Sequence, residues 1–231
     1  MVQEKERVYG GVSAQERREQ RRAALIEAGL ELFGTEGYPN VAVKRICDQA
    51  GLTQRYFYES FSDREALLDA VYRHCVAQLQ HATTAAALGY LTRFPEVAAG
   101  GAISEEHIPE LARHAFGGFL RTLTVDPRQA RVILIEVVGV SPALEQLRIG
   151  AIHQWADLIL SFSGNAGDTA TPRRRLAAIG LVGAITQLLV DWQTAAVAPI
   201  SPDAGPDLFT VEAIHDVITE MLIGTYEHIF R

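Results

Sequence analysis

Apolar residues recur at three- and four-residue spacing along most of this chain, the signature of amphipathic helices. Leu25, Ala28 and Leu32, with Ile26, Leu30 and Phe33, draw one stripe on a helix from Glu16 to Thr35, which Gly37 closes. Val43, Ile46, Cys47 and Ala50 follow i, i+3, i+4, i+7 on a short second helix, with Asn40 as its expected cap and Gly51 as the left-handed residue that ends it. A third helix must start within two residues, with Thr53 at its N-cap. Over Gln54 to Ser60 only Phe57, followed by Phe61, is clearly placed to face inward. Ser62-Asp63-Arg64-Glu65 reads as a capping box with Ser62 at the N-cap. It opens a long helix, to about Ala86, that carries Leu68, Val71, Tyr72, Cys75, Val76 and Leu79 on one side.

Beyond Leu88 the stretch around Pro95 to Pro109 reads as a loop between helices, and no strand pattern follows. Three later helices are announced by a capping residue before a proline: Asp126-Pro127, Ser141-Pro142 and Thr171-Pro172. Polar breaks are expected at Gly164 to Thr171 and Ala198 to Pro206. The last two segments, about Arg173 to Thr194 and Leu208 to Phe230, are apolar over much of their circumference and must bury two sides. The expected class is all-α.

Composition narrows the picture. With 231 residues, 48% hydrophobic and 21% charged, the chain has the apolar mass for a sizeable core. No stretch approaches about 18 consecutive apolar residues, so no membrane partner is expected. The polar, charged opening is no signal peptide. Cys47 and Cys75 are too few for a disulfide framework, which fits a reducing cytoplasm. The net charge of −7 is unevenly placed: residues 1–64 carry ten Lys/Arg and ten Asp/Glu, whereas the remainder carries 11 against 18. A neutral N-terminal segment with clustered arginines on an acidic body fits one DNA-facing end.

Val43 to Ala50 and Gln54 to Ser60, joined by a glycine-containing turn, form the arrangement that lays a recognition helix in the major groove. Opposite Phe57 and Phe61 the third helix offers hydroxyl, amide and guanidinium groups. Arg55 suits guanine and Gln54 adenine, each through a bidentate pair; tyrosine hydroxyls suit phosphates, and Lys44 and Arg64 flank the helix as point charges. The Arg17-Arg18 and Arg21-Arg22 run, interleaved with Glu16 and Glu19, reads as a solvated helix face.

Residues 17 to about 72 resemble the N-terminal DNA-binding domain of the tetracycline-repressor (TetR) family of bacterial transcription regulators. The resemblance is carried by Ala28-Gly29-Leu30-Glu31-Leu32-Phe33, Gly37-Tyr38, Ile46, Ala50-Gly51, Phe57-Tyr58, Phe61 and Glu65-Ala66-Leu67-Leu68. It implies an N-terminal three-helix helix-turn-helix domain, a C-terminal helical domain for ligand binding and dimerisation, and a homodimer that leaves a double-stranded operator when a small-molecule effector binds. The matching DNA contacts are Lys44, Thr53, Gln54, Arg55, Tyr56, Tyr58 and Arg64. Val41-Ala42 departs from the family pattern by lacking the threonine that opens the second helix, and Glu59-Ser60 departs from the usual His or aromatic pair. The implied organisation is a flexible tail at 1–15, the DNA-binding domain at 16–62 and the effector-binding and dimerisation domain at 63–231.

In the C-terminal body, Phe94, Phe116, Phe119, Glu136, Trp155, Gln187, Asp191 and Trp192 are candidates to line an effector pocket. Leu181, Ile185, Leu188, Leu189, Val217, Met221 and Tyr226 offer apolar surface for a dimer bundle. His107 and His114 lie seven apart, not the three or four that helical metal ligands need, so neither a metal nor a cofactor is expected. An activator of the same fold stays open at this point. An all-helical enzyme is the rival from another class, but it would need a catalytic constellation, and Glu105-Glu106-His107 sits where acids simply favour a helix N-terminus. A redox sensor would need a reactive thiol, whereas both cysteines lie on apolar faces.

Overall fold

A computed structural model describes residues 13–98, 103–162, 171–195 and 209–231. The expected tail up to residue 12, most of the polar break after Gly164, the break at 198–206 and the start of the last segment at Leu208 lie outside the described residues. All regular structure among the described residues is helical. The chain divides into two compact units, Met1–His74 and Cys75–Arg231.

In the first unit, α1 spans Ala14–Thr35, α2 Val43–Ala50 and α3 Gln54–Ser60. Helix α1 starts two residues before the periodicity predicts. Ser13 and Glu16 form a reciprocal capping box that satisfies the first orphan N–H groups, so Ser13 is a cap rather than part of a tail. Its buried stripe is Leu25, Ala28, Gly29, Leu30, Leu32 and Phe33. A 3-10 turn over Tyr38–Asn40 follows Gly37. Asn40 does not cap α2. Its amide donates to the Glu36 carbonyl at 2.8 Å, and the N-cap position falls on Ala42, which has no side-chain acceptor to offer. Gly51 takes φ 65° and ψ 30°, the left-handed conformation that turns α2 toward α3. The core is closed by Val41, Ile46, Phe57, Phe61, Leu67 and Val71, all buried; each side chain of this size removed from water stabilises by about 1.5–3 kcal/mol.

Helix α4 runs Arg64–Leu91, five residues further than expected, and the division between the units falls within it. Its cap is Asp63, not Ser62: Asp63 Oδ1 accepts from the Ala66 N–H at 2.8 Å, and the Ser62 hydroxyl donates to Oδ2 at 3.1 Å. Gly29 is where α1 meets the start of α4. A Cβ there would lie 2.9 Å from Val71 Cγ2, a separation real Cβ atoms essentially never show.

In the second unit, a four-residue turn α5 (Pro95–Ala98) and a 3-10 turn at Glu105–His107 precede α6 (Ile108–Val125), α7 (Pro127–Arg131), α8 (Pro142–Ser161), α9 (Pro172–Ala195) and α10 (Val211–Thr225). The stretch read as a loop therefore holds short helical turns at both ends. The three capping residues before proline do what their position predicts: Asp126, Ser141 and Thr171 accept from the N–H groups of Arg128, Leu144 and Arg174. A π-helical turn, Val132–Glu136, extends α7, and a second, Tyr226–Phe230, extends α10; periodicity alone predicts neither. Helix α8 packs along α9, and α6 against α10. The main core gathers Leu79, Phe116, Leu120, Leu123, Leu134, Leu181, Ile185, Leu189, Ile214 and Ile218.

Leu181, Ile185 and Leu189 are thus buried in the chain's own core rather than left as free surface. What stays uncovered on these helices is Leu176 (70% exposed) on α9 and Val217 (48%) on α10. Among the described residues, α9 is long and apolar enough by length and composition to cross a membrane, although Thr186, Gln187 and Asp191 interrupt its apolar run. Only 22% of its most apolar 18-residue window is buried.

Candidate nucleic-acid interface and effector core

Helix α3 is held by two rings. Phe57 is fully buried and Phe61 nearly so, with centroids 5.9 Å apart, so the opposite face is turned outward by packing alone. That face carries Thr53, Gln54, Arg55, Tyr56, Tyr58 and Glu59, all exposed, and Lys44 is exposed on α2. Of the seven expected contacts, these positions place six side chains at the surface around one short helix. Tyr58 rests edge-on against Phe57 at 5.3 Å while remaining 58% exposed, so its ring is fixed and its hydroxyl wet. Thr53 has the extended backbone of an N-cap, but its hydroxyl makes no capping bond.

The seventh residue behaves differently. Arg64 Nη1 donates to the carbonyls of Tyr38, at 3.1 Å, and of Val41, and its guanidinium lies 4.4 Å above the Tyr38 ring. A guanidinium expected to face phosphate is committed to bracing the turn between α1 and α2.

Two arginines on the face read from the sequence as solvated also meet aromatic rings, Arg22 while exposed and Arg21 while half-buried. The Arg21 guanidinium lies 4.5 Å over the Tyr56 ring and that of Arg22 4.7 Å over Phe61, contacts in which an aromatic quadrupole attracts the cation. The i, i+4 spacing of the arginine pairs signals a common face, but only the packing of α1 on α3 shows what that face meets. Arg55 Nε donates to Glu59 Oε1 at 3.0 Å, one turn away.

In the second unit the effector candidates separate. Phe116 and Phe119 stack at 5.4 Å, Trp155 meets Phe119 edge-on at 5.3 Å, and Trp192 packs on the same core. Glu136 is buried and paired with Arg131 Nε at 2.7 Å, a partner without which the desolvated charge would be costly. Phe94 lies in another cluster, 5.4 Å from Tyr90 and 4.2 Å from the His107 ring. Gln187 is exposed and donates to Asp191 at 2.8 Å, so this pair is satisfied on the outside of α9. Cys47 and Cys75 are both buried, and burial pushes the Cys47 thiol pKa up, away from thiolate chemistry. No group of three or more His, Cys, Asp or Glu that could hold a metal occurs among the described residues.

A helix-turn-helix with an outward polar-aromatic second helix, carried on an all-α body, defines the class of a two-unit DNA-binding regulator. Residues 25–71 match the family model of the bacterial regulatory proteins of the tetR family, and the fold of the whole chain is similar to that of solved regulators of this type. It is similar in fold to the fatty acid degradation regulator FadR from Bacillus halodurans, at 15% identity and TM-score 0.65 over 88% of this chain and 95% of that one. FadR from Bacillus subtilis, solved in complex with stearoyl-CoA, aligns at 17% identity and TM-score 0.60 over 87% and 97%. A TetR-like regulator from Rhodococcus sp. RHA1 aligns at 16% identity and TM-score 0.57 over 90% and 96%. No curated protein matches the chain.

Proposed function

We propose that this protein is a ligand-responsive transcriptional repressor, not an enzyme, that binds a palindromic operator as a homodimer in the cytoplasm and leaves it when a small, largely apolar effector binds. The observation that carries the reading is the outward face of α3: Gln54, Arg55, Tyr56 and Tyr58 are exposed on a helix anchored by buried Phe57 and Phe61. In this reading Arg55 and Gln54 address base edges, whereas Lys44, Thr53, Tyr56 and Tyr58 position the phosphate backbone. Two copies present α3 at half-sites about one helical turn or slightly more apart. Selection of full-length protein on random duplexes tests it directly: a two-fold symmetric consensus is expected, and its absence would sink the proposal.

The homodimer is assigned to α9 and α10, whose outer apolar residues Leu176 and Val217 lack cover in one copy. Leu176→Glu is expected to shift full-length protein toward monomer in sedimentation; an unchanged dimer would refute the assignment. The effector is assigned to the aromatic core of Phe116, Phe119, Trp155 and Trp192. The apolar, aromatic character of this core supports an apolar ligand, as does the stearoyl-CoA in complex with the Bacillus subtilis FadR. Coupling to the operator is expected to be about 1–3 kcal/mol and reciprocal, so calorimetry of a candidate effector with and without operator DNA must give different affinities.

A further inference from the structure

One carboxylate on the outward face of α3 holds the guanidinium groups that lie nearest to it. Glu59 Oε1 accepts from Arg55 Nε at 3.0 Å, and Oε2 lies 3.9 Å from Arg21 Nη2. Arg21 in turn covers the Tyr56 ring at 4.5 Å. Arg55 and Arg21 are therefore both paired with a single acid at the surface, where the Glu59 side chain remains 39% and that of Arg55 85% exposed. A duplex has access to displace them.

Resting on the reading of α3 as the recognition helix, we propose that Glu59 is a specificity-determining residue that keeps Arg55 and Arg21 from generic phosphate and releases them only at a base it can itself bind. An ionised carboxylate is acceptor-only. It repels phosphate oxygens and the acceptor edges of guanine and thymine, but accepts from the N4 amino group of cytosine. On DNA lacking an amino group at that position, the carboxylate keeps its arginines and adds a negative charge against the backbone. At a matching site the amino group takes over Glu59, and the freed Arg55 forks onto O6 and N7 of a guanine. Arg55 and Glu59 lie one helical turn apart on the same face, so the two bases fall close together within one half-site.

The test compares full-length protein with Glu59→Gln and Glu59→Ala in two assays: selection on random duplexes, and titration of the selected site and a scrambled duplex across a salt series. Glu59→Gln is nearly isosteric and lies on the surface, so circular dichroism is expected to be unchanged. Affinity for scrambled DNA is expected to rise about tenfold, with a salt slope steeper by about one to two as the released arginines reach phosphates. The ratio of operator to scrambled affinity falls about tenfold or more, and the base preference opposite Glu59 is lost. In an Arg21→Ala, Arg55→Ala background the gain on scrambled DNA shrinks.

An unchanged consensus and ratio in Glu59→Gln would overturn the proposal. So would a gain that persists undiminished without the two arginines, because it would reflect net charge alone. If the unsubstituted protein selects no consensus, the recognition-helix reading fails with it; if it selects one and Glu59→Gln selects the same, only Glu59's role fails.

Discussion

Arg64→Ala separates a brace from a DNA contact. The side chain is half-buried, and it donates to the Tyr38 and Val41 carbonyls while covering the Tyr38 ring. A hydrogen bond from a charged donor contributes about 1.5–3 kcal/mol, and a cation over a tyrosine about 0.5–1. Water reaches part of this site and rehydrates the carbonyls when the guanidinium leaves, so the net loss is about 2 kcal/mol rather than the full sum. Because the chain has two compact units, a global melting curve would not isolate the effect; amide hydrogen exchange in full-length protein does. Amides of α1 and α2, such as those of Phe33 and Ile46, should exchange about 30-fold faster in the variant, the factor that 2 kcal/mol represents. Arg64→Lys keeps the charge but not the fork, and should lose most of the same protection. In DNA titrations under folding conditions the salt slope should stay that of the unsubstituted protein. If protection is unchanged in Arg64→Ala and the slope instead falls by about one, Arg64 contacts phosphate and the brace is wrong.

Other substitutions probe the same unit. Phe57→Ala empties the fully buried anchor of α3 and is expected to cost about 3–5 kcal/mol, abolishing operator binding in a mobility-shift assay. Gly29→Ala gains about 1 kcal/mol of helix propensity but drives a methyl against Val71, a buried β-branched side chain with little freedom to turn. Overpacking costs about 1–3 kcal/mol, so a net loss of about 1 is expected by hydrogen exchange. Asp63→Ala removes the α4 cap at a cost of about 1 kcal/mol. The Ala66 N–H holds the Asp63 carboxyl below its ordinary pKa. Its contribution is therefore complete above the ordinary carboxylate range and lost as pH falls through the lowered value. Asp63→Asn should remove that part of the acid sensitivity of exchange at the start of α4.

The helical class, the positions of α2 and α3 and the three proline-led starts were legible because each is written in local chemistry: spacing, a capping side chain, a glycine at positive φ. The misread starts were local competitions. Ser62 and Asp63 both offer an acceptor, and the choice depends on which backbone turns first; Asn40 found a carbonyl of the preceding helix before the helix it was expected to cap. Arg64 was legible as a cation but not as a brace, because its partners are 23 and 26 residues away in sequence. Likewise, nothing in the spacing of Phe94 from Phe116 shows that one packs with Tyr90 and the other in the main core. The surface of α3 was read more completely than the body because a short helix with two inward rings leaves few ways to face.

The thinly covered flank of α9 bears on how the protein is made. On a newly synthesised chain Leu176 and its neighbours are exposed apolar surface, open to other apolar surfaces until covered. For the proposed homodimer, the nearest source of a second copy is the adjacent ribosome on the same message, where nascent chains are locally concentrated. Assembly during translation would shorten the hazardous interval, and overexpression from a message that delays the C-terminal helices would lengthen it and favour aggregates. A flank that the proposed pair would cover thus leaves the solitary chain dependent on the timing of its own synthesis.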